Sequence, residues 1–161
     1  MTLVSKIILA KRRGHLNVSA LNRGRRKKVD LYRQGKTRVL LVALALVIDN
    51  SGSMSGEKIE FARSASRSIV DTLNDGDEVS LTQFADSAQN LVPLVRVDAR
   101  ARDQLRAAIA KIQPDSGTAI LDGMQTGMRT LAAARAPSRR LILISDGHAN
   151  VGPSTPKDIL A

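Results

Sequence analysis

The sequence predicts an α/β fold, a mostly parallel sheet with helices on both faces and one antiparallel edge strand. Three observations predict it. Ten apolar residues run unbroken from Val39 to Ile48, too few to span a membrane and typical of a strand buried on both faces. A second such run, Leu141 to Ile144, lies far along the chain. Between them, helical and strand-like periods alternate in the order strand–helix–strand–strand–helix–helix–strand–helix.

Each element has its own signal. After the opening strand comes a glycine-serine loop to Gly56, then a helix from about Glu57 to Leu73. Ile59, Ala62, Ala65, Ile69, Val70 and Leu73 keep helical spacing there, with Lys58, Arg63 and Arg67 assigned to the outer face. Asn74-Asp75-Gly76-Asp77 stops that helix. Glu78 to Phe84 reads as the second strand. Leu91 to Val97 reads as the third, and Pro93 makes it an edge strand. The short turn from Ala85 to Asn90 implies antiparallel pairing of these two. Asp98 is the expected N-cap of a helix ending near Ile112, with Leu105, Ala108, Ile109 and Ile112 turned inward. Gln113-Pro114-Asp115-Ser116-Gly117 breaks the pattern. A further helix is expected from Thr118 to Arg135, with Leu121, Met124, Met128 and Leu131 on its buried face. Arg139 to Ser145 is the last strand. Ser154 or Thr155 would cap a final helix with Pro156 in its first turn.

The net charge of +10 over 161 residues is unevenly distributed. Residues 1–38 carry 12 Lys/Arg against one acid, whereas residues 39–161 carry 13 against 14. The chain therefore divides into a basic N-terminal arm (1–38), read as flexible, and a near-neutral domain (39–161). Only the arm could bind polyanions through charge, and it lacks interleaved aromatic residues for stacking on bases. With no cysteine, disulfides and thiolate metal sites are excluded. Lys6 interrupts the weakly apolar Leu3–Ala10 stretch and Lys11-Arg12-Arg13 follow it, the reverse of a secretory signal. No transmembrane segment is expected either. Cytoplasmic placement follows unless the chain is a piece of a longer exported protein.

The candidate chemistry lies where the apolar run ends. Asp49, Ser51 and Ser53 follow the first strand at its carboxyl end, where open α/β sheets place ligand sites. Thr118 stands at the start of the long helix, and Asp146 follows the last strand. All five side chains offer oxygen and none offers imidazole or sulfur, a set suited to Mg²⁺, Mn²⁺ or Ca²⁺. Neutral hydroxyls from Ser51, Ser53 and Thr118 would leave the ion electron-poor and ready to take an external carboxylate. Taken singly, the same residues are ordinary turn formers and helix caps.

Val47-Ile48-Asp49-Asn50-Ser51-Gly52-Ser53-Met54 resembles the opening of a von Willebrand factor type A (vWA) domain with its metal-ion-dependent adhesion site. Ser116-Gly117-Thr118-Ala119 is similar to the family's threonine loop, and Leu143-Ile144-Ser145-Asp146-Gly147 to its last site motif. Gly56-Glu57-Lys58-Ile59 and residues 146–152 resemble the bacterial branch. The resemblance covers about residues 40–161. It implies a Rossmann-like sheet, a bound divalent cation and a binding rather than catalytic role. It makes Ser51, Ser53 and Thr118 direct ligands, with Asp49 and Asp146 acting largely through water. Family domains add strands and helices after the Asp-Gly loop, so the domain is expected to be incomplete at its C-terminus, leaving Leu141–Ile144 as an apolar edge.

The functional expectation is a divalent-cation-dependent module that captures Asp or Glu of a protein partner, with no small-molecule substrate. The alternatives are polyanion binding by the arm and metal-assisted hydrolysis. Against hydrolysis, neither Gly-x-Ser-x-Gly nor a phosphate-binding Gly-Lys loop is present. His148 near the site reads as a loop residue, and His15 lies in the arm.

Overall fold

A computed structural model of the chain describes residues 40–147. The basic arm, the final helix expected near Ser154 and the loop position of His148 lie outside the described residues. The elements are β1 (Val42–Asp49), a 3₁₀ turn (Gly52–Met54), α1 (Glu57–Thr72), β2 (Glu78–Phe84), β3 (Ala88–Arg96), α2 (Ala99–Lys111), α3 (Ile120–Ala132) and β4 (Ser138–Ile144). The described sheet has the order β3-β2-β1-β4. β1 runs parallel to both β2 and β4, while β2 and β3 form an antiparallel pair. This is the expected Rossmann-like α/β arrangement.

β1 is central, and residues Ala43 to Ile48 are at most 3% exposed. Its alternate residues serve two different cores. Leu44, Leu46 and Ile48 join Val79, Leu81 and Ile144 beneath α1 and α2, with Ile59, Ile69, Leu105 and Ile109 facing them. Ala43, Ala45 and Val47 join Phe84, Leu141 and Leu143 beneath α3. On this face β1 itself carries small residues, because α3 comes very close to it. The buried residues of α3 are Ile120, Gly123, Gly127 and Leu131. A Cβ on Gly123 would stand 2.5 Å from Phe84 Cδ1, and one on Gly127 would stand 2.7 Å from Val47 Cγ2. The expected face of Leu121, Met124, Met128 and Leu131 is therefore corrected. Leu121 and Met124 are half-buried, Met128 is exposed, and the two glycines form the contact stripe. A hydrophobicity pattern weights large side chains, whereas this contact needs their absence.

Three further expectations are adjusted. β3 begins at Ala88, not Leu91, because Gln83 and Phe84 pair with Gln89 and Ala88 across a turn at Asp86-Ser87. Register shifts between Val79 and Thr82 put extra residues on β3 near Pro93, which supplies no ladder N–H. Arg63 lies inside rather than on the outer face: its guanidinium donates to the Ile112 carbonyl at the end of α2 and pairs with Glu60. Its aliphatic stem fills the seam between two helices while its head caps a helix terminus. Finally, α3 starts at Ile120 with Ala119 as its cap residue, so Thr118 precedes the cap and does not fill it. Asp98 caps α2 as expected, accepting from the Ala101 N–H at 2.7 Å.

β4 has no strand on its other side among the described residues. Of the four apolar side chains on that edge, three are buried and Ile142 is half-buried. Leu141, Leu143 and Ile144 are 2%, 7% and 3% exposed.

Candidate metal centre

Parallel pairing brings the loops that follow β1 and β4 together. Ile48 is in register with Ile144, so the residues leaving β1 and β4 at their carboxyl ends stand side by side. Asp49 is fully buried there. Its Oδ1 accepts from the Ser51 N–H at 2.9 Å, and its Oδ2 accepts from the Ser145 hydroxyl at 2.6 Å. The first bond folds the chain back on itself, as Asp commonly does in turns. The Ser51 and Ser53 hydroxyls then lie 3.0 Å apart. The Gly147 N–H donates to Ser145 Oγ, tying the Asp146 loop to the same hydroxyl that holds Asp49.

Asp146 is linked to the serine loop through a cation. Lys58 Nζ donates to Asp146 Oδ2 at 2.7 Å and to the Ser53 carbonyl at 2.8 Å. Asp146 also lies close enough to Asp49 for their charges to interact.

Thr118 arrives on the segment between α2 and α3, which Asn50 fixes. The Asn50 carbonyl accepts from the Asp115 N–H at 2.6 Å, its side-chain Nδ2 donates to the Gln113 carbonyl, and Ser51 forms an isolated parallel bridge with Asp115. Beyond this, Gly117 has φ of +68° and lies against Asp86, whose Oδ1 would be 1.6 Å from any Cβ there. Asp86 also accepts from the Ser116 hydroxyl at 2.6 Å. The Ala119 N–H donates to the Ala85 carbonyl at 2.7 Å. Thr118 itself is 1% exposed. Sequence reasoning did not single out Asn50, Lys58, Ser145 or Asp86. Asn50 and Ser145 adjoin the motif residues, so proximity in sequence was an available signal. For Asp86 only the position after a strand end pointed that way.

Burial is the main reason that the Asp49 carboxyl is held above its ordinary range. Hydrogen bonds from Ser145 and Ser51 oppose the shift, and the Asp146 charge adds to it. An acid whose native pKa is raised binds its proton more strongly folded than unfolded. Stability therefore falls as pH rises from about 4 to the native value and stays lowered above it. In chelator, Asp49→Asn is expected to melt above wild type at neutral pH. The difference should shrink as pH is lowered through that window. Paired thermal melts between pH 4 and pH 7 check this, and an Asn variant that is equally destabilised at every pH would contradict it.

The donor set fits a hard divalent cation. Two carboxylates and three hydroxyls are carried by loops at one sheet end, and an ammonium is already drawn to one of the carboxylates and to the Ser53 carbonyl.

The fold is matched by solved structures. The von Willebrand factor type A protein from Catenulispora acidiphila superposes with a TM-score of 0.69 at 25% identity, covering 74% of this chain and 29% of that one. The vWF domain of the Porphyromonas gingivalis pilus tip protein Mfa5 gives a TM-score of 0.63 at 22% identity, covering 70% of this chain and 40% of that one. Residues 44–148 match the von Willebrand factor type A domain family. The chain belongs to that family. This vWA domain is 35% identical over 124 residues to inter-alpha-trypsin inhibitor heavy chain H3 of Rattus norvegicus, covering 72% of this chain and 14% of the relative. It is 31% identical over 111 residues to an uncharacterised Synechocystis protein, covering 68% of this chain and 26% of the relative. The chain thus spans only a small part of these relatives, which include mammalian as well as bacterial proteins. No described helix of the vWA chain is long and apolar enough to cross a membrane.

Proposed function

We propose that this vWA domain is a divalent-cation-dependent protein-binding module with a binding rather than a catalytic role. Asp49, Ser51, Ser53, Thr118 and Asp146 would hold Mg²⁺, with Mn²⁺ or Ca²⁺ as substitutes. The bound ion would supply an electrophilic position for an Asp or Glu side chain of a partner protein. The observation that carries this reading is the meeting of oxygen-only side chains at the carboxyl ends of β1 and β4. Asp49 is held there by hydrogen bonds to Ser51 and Ser145.

The chain's own residues have distinct parts in that task. Asp49 turns the loop so that Ser51 and Ser53 face each other. Asn50 and Asp86 set the course of the segment that carries Thr118. Hydroxyl donors bring no charge of their own, so the ion would keep most of its positive charge for an incoming carboxylate.

Calorimetric titration of the full chain with MgCl₂ and MnCl₂ tests the reading. Wild type is expected to bind one ion. The Ser51→Ala/Ser53→Ala pair should lose about tenfold or more in affinity, since each tenfold corresponds to only ~1.4 kcal/mol. A folded wild-type chain that binds neither cation would end the proposal.

A further inference from the structure

We propose that Lys58 is a built-in counter-cation of the metal centre, a side chain that occupies the Asp146 side of the site and so sets how tightly a divalent ion binds. The inference rests on the metal reading above and deepens it. Lys58 lies in the first turn of α1, directly after the serine loop. Its ammonium bridges Asp146 Oδ2 at 2.7 Å and the Ser53 carbonyl at 2.8 Å, two groups 93 residues apart in sequence. Both belong to residues of the candidate ligand set. The bridge is off the open surface on the acid's side, because the Asp146 side chain is only 12% exposed whereas that of Lys58 is 44% exposed.

Two consequences follow from charge alone. Without a divalent ion, the ammonium offsets the Asp146 carboxylate, whose charge acts unfavourably on Asp49. With a divalent ion, the same ammonium competes for Asp146 and repels the ion. A unit charge and a divalent ion about 6 Å apart in water interact strongly enough to change affinity by about tenfold. The tether also makes this competitor a local one, always present at high effective concentration. Lys58 is thus a tuning residue, lowering cation affinity while protecting the cation-free fold.

Manganese titration and thermal melts of the full chain test this, using wild type, Lys58→Met, Lys58→Arg and Asp49→Ala. Lys58→Met is expected to bind Mn²⁺ about tenfold more tightly than wild type at low ionic strength, with a smaller gap in 0.5 M salt. Lys58→Arg, which keeps the positive charge, should stay close to wild type. In EDTA, Lys58→Met should melt below wild type and recover when Mn²⁺ is added. Equal or weaker Mn²⁺ binding by Lys58→Met overturns the proposal, as does an unchanged melt in EDTA. If wild type binds and Asp49→Ala does not, such a failure removes the role of Lys58 and leaves the metal reading standing. If neither wild type nor Lys58→Met binds Mn²⁺, both fall together.

Discussion

Leucine at Gly127 is expected to destabilise the domain by about 3 kcal/mol or more. The helical glycine lies against β1 and β4 on the face opposite α1 and α2. Even a methyl group there would stand 2.7 Å from Val47 Cγ2 and 2.9 Å from Leu141 Cδ1. Ordinary carbon–carbon contact is about 3.5–4.0 Å, so α3 would have to retreat by close to 1 Å, opening gaps along its whole contact with the sheet. Replacing glycine inside a helix gains about 1 kcal/mol in propensity, which opposes the loss without matching it. Urea denaturation of wild type, Gly127→Leu and Met128→Leu measures the effect. Met128 is 41% exposed one residue away and should change stability by less than about 0.5 kcal/mol. Gly123→Ala should also destabilise, but the pair should cost less than the sum. Once either side chain has pushed α3 outward, the other meets less resistance. A Gly127→Leu protein as stable as wild type would mean that α3 does not approach the sheet this closely.

The second large effect is expected at Thr118. Thr118→Val keeps the shape of a residue that is 1% exposed and removes only its hydroxyl. On the metal reading, divalent-cation affinity should fall by about tenfold or more, a loss of ~1.4 kcal/mol or greater. Stability in chelator should change by no more than about 1 kcal/mol, the usual net worth of one hydroxyl's hydrogen bonding. The contrast between these two readouts identifies a ligand. A purely structural threonine would lower the melting temperature in chelator while leaving the affinity of the folded protein intact. Calorimetry with MnCl₂ alongside melts in EDTA separates the two cases. Unchanged Mn²⁺ affinity would remove Thr118 from the site.

The elements that were legible in the sequence are those whose surroundings repeat along the chain. β1 was recognisable because a central parallel strand is apolar on both faces, and α1 because one side of it is apolar at helical spacing. The Asp98 cap was legible because its chemistry is local. Structure departs from sequence pattern where a distant residue decides the role of a local one. Arg63 looks like a surface charge until the end of α2 supplies the Ile112 carbonyl as its acceptor. The start of β3 was hidden because Gln89 and Asn90 are polar, yet the backbone there pairs with β2. The face that α3 turns to the sheet is hidden from a hydrophobicity pattern because its two closest contact positions have no side chain.

For the proposed metal centre, the sequence by itself supplied the candidate donors: oxygen from Asp49, Ser51, Ser53, Thr118 and Asp146, and neither sulfur nor imidazole among them. It also determined the vWA resemblance, since the three motifs stand in order at their own positions. Tertiary structure decided the electrostatics. Parallel registration of β1 with β4 puts Ser145 on Asp49, and folding back of the first turn of α1 puts the Lys58 ammonium on Asp146. Such pairings arise between residues 88 and 96 positions apart, where no sequence period or spacing carries a signal. Their strength comes from distance and burial, which exist only once the sheet has formed.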